Sequence, residues 1–162
     1  MNFKQQFHDE NQCDSEEFGC RLLNEPTIRN VRNDIERCYT QNWREATKDK
    51  ILSWAERTQL NSLQQQKRPE ITEVIAVLDR LNEILRGGHL RIPEILALLL
   101  LGSSNNNQKG NICKIPPREG RATIVAAMLA TMKILSGERF VDIITLSPEL
   151  AEEALQNHWE FY

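Results

Sequence analysis

The run from Ile71 to Arg86 constrains the fold most, because Ile71, Val74, Ile75, Leu78, Leu81 and Leu85 recur in it at three- and four-residue steps. On a helix of 3.6 residues per turn these positions share one face, so the segment is predicted to be an amphipathic helix with its stripe in a core. Gly87 and Gly88 follow directly and are predicted to stop it, since glycine readily takes the left-handed conformation that closes helices. A second stripe, Ile28, Val31, Ile35 and Cys38, begins behind Pro26 and predicts a helix to about Tyr39. Ile51, Leu52, Trp54 and Ala55 predict another over about 43–60, ended by the polar stretch Gln64 to Arg68 and by Pro69. Pro93 then suits the first turn of a helix carrying the apolar run Ile95 to Leu101, against which the 71–86 stripe is expected to pack. Residues 26–101 thus read as a helical part, preceded over 1–25 by a polar, acidic arm with no sustained period.

The pattern changes after the polar break at Ser103 to Asn107. Asn111 to Ile115 is a short strand candidate, 121–136 a helix, and Phe140 to Thr145 an apolar, β-branched strand candidate, with Ser147 or Pro148 opening a last helix to about Trp159. Strand, helix, strand in this order is a βαβ unit, whose strands are parallel and whose crossover is right-handed. The expected fold is therefore mainly α, with a small parallel βαβ remnant of a RecA-like, P-loop α/β motor lobe over 111–159.

Size and charge narrow the function classes. The chain has 162 residues, enough for one ordinary domain and too few for a two-lobed enzyme. Its net charge is −3 with a sequence pI near 5.7, which opposes binding of nucleic acid through phosphate neutralisation. The first twenty residues hold no apolar run of signal-peptide length, and the longest apolar run, Ile95 to Leu101, is far too short to span a bilayer. A cytoplasmic location, with the nucleus as the alternative, and no transmembrane segment are expected. Cys13, Cys20, Cys38 and Cys113 form no CxxC pair, so reduced, structural thiols are expected rather than a zinc site. His8 with Cys13 and Cys20 lacks diagnostic metal spacing, and His89 and His158 read as ordinary loop and helix residues. Trp43, Trp54 and Trp159 read as core residues, a partner surface being the other reading.

The turn into the 121–136 helix reads Lys114-Ile115-Pro116-Pro117-Arg118-Glu119-Gly120-Arg121-Ala122-Thr123, and here the chain resembles the SecA family of preprotein translocase motors. Those motors carry a strand ending in I-K-T-G-E-G-K followed by Ser or Thr, then a helix, then a strand leading into T-x-S-P-x-L-A. Ile115, Glu119 and Gly120 match the loop, and Thr123-Ile124-Val125 match the helix start. Val141-Asp142-Ile143 and Thr145-Leu146-Ser147-Pro148-Glu149-Leu150-Ala151 match the second strand and its motif. Leu90-Arg91 and Ile95 to Leu100 resemble the segment that carries the adenine-reading glutamine, whose place is taken by Glu94. The resemblance covers about 70–162 and implies a vestigial nucleotide site at Glu94, Glu119, Gly120, Arg121 and Thr123.

Departures from the family's loop argue against turnover. A P-loop surrounds phosphates with successive backbone N–H groups, a lysine and a metal-holding hydroxyl. Pro116 and Pro117 remove two possible donors, and Arg118 puts a Cβ where the family has glycine. Arg121 stands at the lysine position and Ala122 at the hydroxyl position, while Thr123 is rotated by about 100° from it on a helix. Glu94 can accept but not donate a hydrogen bond to adenine. The family's magnesium-binding Asp-Glu motif, arginine finger and second lobe lie beyond the position of Tyr162 in those motors. The expectation is a non-catalytic SecA-like module for protein interaction or regulation, with no catalytic residues, no metal and no resident cofactor. Its partner is expected to be another protein or a second copy. The alternative is a nucleotide-binding translocation module that needs a missing motor lobe, with ATP as its ligand.

Overall fold

The computed structural model describes residues 26–65, 67–102 and 121–161, and all of its regular structure is helical. Helix α1 spans Pro26–Cys38 and runs into a π-helical turn, Tyr39–Trp43, closed by a bond from the Arg44 amide to the Tyr39 carbonyl. Helices α2 (Lys48–Gln65), α3 (Ile71–Arg86) and α4 (Ile92–Gly102) follow. Beyond residue 120 come α5 (Arg121–Leu135), α6 (Pro148–His158) and a terminal 3-10 turn, Trp159–Phe161.

Helix α3 is central. It touches α1, the π turn, α2 and α4, and Val74 to Leu78 are buried without interruption, so it is enclosed on more sides than a surface stripe requires. Gly87 caps it with φ 71°, its amide bonded to the Glu83 carbonyl, where the sequence places the stop. The expected packing of this stripe on the 95–101 segment is present as the α3–α4 contact. Helix α4 lies mainly on α5, which contributes Ile124, Val125, Ala127, Met128, Met132 and Leu135 to the same core.

The two nearer tryptophans form an edge-to-face pair, with Trp43 buried and Trp54 packed against the core, whereas Trp159 is exposed. The π turn that buries Trp43 also delays α2, which begins at Lys48 rather than near 43 and runs to Gln65 through the glutamine-rich stretch. Glutamine is a good helix former, so polarity alone does not end a helix there. The ends of α2 and α5 are tied by Ser62 Oγ, which donates to the Leu135 carbonyl at 2.7 Å. Gly137 turns the chain away with φ 94°, and a Cβ there would lie 3.3 Å from the Ser62 carbonyl oxygen.

The expected βαβ remnant is not formed. No strand occurs among the described residues, and Phe140–Thr145 is non-helical chain without a sheet. The other strand candidate, 111–115, lies outside the described residues, as do the whole of 103–120 and the expected arm, 1–25. β-Branched residues favour a strand because they pack on a pleated, half-buried surface beside a neighbour. Here Phe140 and Ile144 are 89% and 93% exposed, so that condition is unmet and the preference has nothing to act on. Ser147 starts α6 as its N-cap, accepting from the Leu150 amide, with Pro148 in the first turn.

Candidate functional site

A cleft of about 170 Å³ opens where the end of α3, the start of α4 and the start of α5 meet. Asn82, Arg86, His89, Arg91, Glu94 and Ile124 line it, with Gly88 at its edge. Local hydrogen bonds set its walls. Asn82 Nδ2 donates to the Gly88 carbonyl at 2.7 Å, fixing the chain as it leaves α3. Asp79 Oδ1 accepts from the Leu90 amide at 2.6 Å, and Asp79 Oδ2 lies 3.1 Å from His89 Nδ1. Glu94 Oε2 reaches back to the Arg91 amide at 2.7 Å, the glutamate half of a capping box that satisfies one open donor at the start of α4.

Arg86 connects this cleft to α6. Its Nη2 lies 2.6 Å from His158 Nδ1 and 3.2 Å from the Asn157 carbonyl, and His158 Nε2 lies 2.8 Å from Thr123 Oγ1. An arginine only donates, so Nδ1 is the acceptor and the ring proton sits on Nε2, directed at Thr123. Burial first, then the Arg86 charge, push the His158 pKa down to about 4, so the imidazole is neutral at pH 7. Desolvation also lowers the Arg86 pKa, opposed by the charge of Glu94.

A second polar network lies beside the cleft at the same helix end, linked to it by His89, whose Nε2 is 3.9 Å from Glu83 Oε1 and whose ring stands edge-on to Tyr39. Tyr39 donates to Glu83 Oε2 at 2.5 Å, and Arg80 Nη1 meets that oxygen at 2.6 Å while its Nε donates to the Ala46 carbonyl. Burial and the Glu83 carboxylate push the Tyr39 pKa up to about 12, whereas hydrogen bonds from Tyr39 and Arg80 hold Glu83 below its ordinary value. This network staples the π turn to α3. It offers no unengaged nucleophile or base.

Of the expected vestigial nucleotide residues, Glu94 and Thr123 are brought to one region, Glu94 in the cleft wall and Thr123 joined to Arg86 through His158. Glu94 is buried and serves as the brace of α4. Arg121 is the first residue of α5, and Glu119 and Gly120 lie outside the described residues. Among the described residues no group of three or more His, Cys, Asp or Glu side chains could hold a metal ion. Sequence reading missed the role of His158, which is only 2% exposed. Its partners lie 35 and 72 residues away, and no local spacing records them.

A different surface lies between α5 and α6. Phe140, Ile144 and Leu146 project from the connecting chain, the last of them 98% exposed, and Leu155 and Trp159 add exposed apolar groups four residues apart on one side of the C-terminal helical segment. No helix among the described residues is long and apolar enough to cross a membrane. Comparison with family models, with curated proteins and with solved structures found no match.

Proposed function

We propose that this chain is a non-catalytic protein-interaction module whose contact surface is the 140–146 connection together with the exposed apolar side of the C-terminal helix. The observation that carries this reading is the near-complete exposure of Phe140, Ile144 and Leu146 on a chain whose other helices share one buried apolar cluster. Single exposed apolar residues need no explanation, but several large ones in seven consecutive positions expose area that water disfavours and a partner would cover. Trp159 adds a residue type favoured as an interface anchor. A non-catalytic role draws support from the Tyr39–Arg80–Glu83 and Arg86–His158–Thr123 groups, which are engaged in holding helices together.

The partner is a protein or a second copy of the chain; the net charge of −3 gives no support to a nucleic acid. A SecA-like origin remains part of the proposal for residues 70–162, although the interaction reading rests on the exposed surface alone. The nucleotide alternative has less behind it, because Glu94 is committed to the Arg91 amide. Light scattering at micromolar concentration tests self-association, and affinity capture from native extract tests a different partner. Both are run beside a Phe140→Asp, Leu146→Asp double variant. A partner or a dimer lost in the variant is expected. A monodisperse monomer that captures the same proteins with and without the two substitutions contradicts the reading.

A further inference from the structure

Arg139 to Leu146 leaves its main chain unpaired as well as its side chains. Among the described residues no hydrogen bond uses an amide or a carbonyl of this segment; the nearest, from the Glu138 amide to the Lys133 carbonyl and from the Ala151 amide to the Ser147 carbonyl, belong to the flanking helix ends. Exposure along it changes at two-residue steps. Phe140, Asp142, Ile144 and Leu146 are exposed, Val141 and Thr145 are half-buried, and Ile143 is 40% exposed against 93% for Ile144. That is the period of an extended strand, in which alternate side chains share a face. Gly137 and Pro148 lie just outside, so every residue within can donate to a ladder. The segment is thus a strand edge that lacks only its neighbour, held at both ends by α5 and α6.

We infer that Arg139 to Leu146 binds by adding a strand to the open sheet edge of a different protein. Main-chain bonds hold it there, while Phe140, Ile144 and Leu146 enter apolar pockets beside that edge and Asp142 meets a lysine or arginine. The inference deepens the interaction reading of this surface and rests on it. Two observations select the occupant. Two strands alone are marginally stable in water, and no other strand occurs among the described residues, so the partner must bring a sheet that already exists. A second copy fits less well because of charge. The antiparallel registers of longest overlap that keep like faces together centre on Asp142 or Ile143, and both set Asp142 directly or diagonally across from its own counterpart. Like charges facing one another in a strand pair are destabilising, whereas sheet edges in other proteins commonly carry lysine.

The test is a titration of the full chain followed by two-dimensional amide NMR. Its probe is a disulfide-cyclised β-hairpin peptide, used up to about 1 mM, whose free edge carries apolar residues opposite Phe140, Ile144 and Leu146 and lysine opposite Asp142. A second hairpin has the amides of that edge N-methylated, which removes the donors and keeps the side chains; a third has glutamate for lysine. Saturable shifts confined to residues 138–147 are expected with the first hairpin, with slowed hydrogen exchange at alternate amides, because one edge of a strand offers every second N–H. N-methylation should weaken binding about tenfold or more. Asp142→Lys, at an exposed position, should weaken the lysine hairpin about two- to fivefold and favour the glutamate hairpin by a similar factor. No saturable shift with the lysine hairpin overturns the inference, as does equal binding of the N-methylated one, which would leave side-chain docking alone. Dimerisation of the chain through 139–146 without any hairpin also overturns it, in favour of a second copy. Failure of the hairpin beside a partner captured from native extract removes strand addition and leaves the interaction reading standing; hairpin binding with neither a captured partner nor a dimer removes both.

Discussion

His158 shows how one side chain couples the C-terminal helix to the core. Its ring is buried between Arg86 from α3 and Thr123 from α5, with the Glu94 charge on α4 also acting on Arg86. In the unfolded chain an imidazole titrates near 6.5, and in the folded protein burial and Arg86 depress that to about 4. Above pH 6.5 the group is neutral in both states and costs nothing. Between 6.5 and 4 the unfolded state binds the proton that the folded state refuses, so stability is lost as pH falls across that window, by about 3 kcal/mol in all. Denaturant melts from pH 7.5 to 4 should show this slope, and His158→Gln should flatten it relative to the parent; equal slopes would show that the imidazole is not held neutral. Glycine offers a second residue-level check. Gly87 and Gly137 both have positive φ, but a Cβ at Gly87 meets nothing within 4 Å, whereas at Gly137 it meets the Ser62 carbonyl. Gly87→Ala should cost about 1–2 kcal/mol from backbone strain alone, and Gly137→Ala measurably more by the same melts.

Among the elements, α3 has the clearest expected consequence. Leu78 is among the largest fully buried side chains, so Leu78→Ala should lower the unfolding free energy by about 2–5 kcal/mol in a reversible denaturation curve. A change within error would mean that the helix presents another face inward. This helix was legible in the sequence because its evidence is local: apolar steps of three and four, closed by two glycines. The π turn at Tyr39–Trp43 was not, since it depends on Trp43 finding Trp54 and on Arg80 reaching the Ala46 carbonyl, both non-local contacts. The 140–145 segment was misread for the converse reason. Its Phe, Val and Ile residues carry strand preference, but a strand exists only through the ladder to a neighbour, and among the described residues no neighbouring strand is present. At the site, Glu94 was singled out through family resemblance, and the structure gives it a helix-capping task instead. Arg86 and Asn82, which shape the cleft, were unremarkable members of a helical stripe's polar side.

At the scale of the whole molecule, the six helices among the described residues enclose one apolar core, while the connection into the last of them leaves its largest apolar groups in water. The protein is proposed to act through that surface and not through turnover, so steady-state phosphate release from ATP should not exceed a protein-free blank. Release that exceeds the blank and disappears on Arg121→Ala would contradict the non-catalytic reading. The central claim, that residues 140–146 are covered by a protein, is tested most directly by photocrosslinking in native extract. A photoreactive side chain is placed at Ile144 in one preparation and at Leu52, an exposed apolar position on α2, in another. The account predicts a discrete, saturable protein adduct from position 144, either a partner or a second copy, and none of comparable yield from position 52. Equal yields from the two positions, or no adduct from 144, would contradict it.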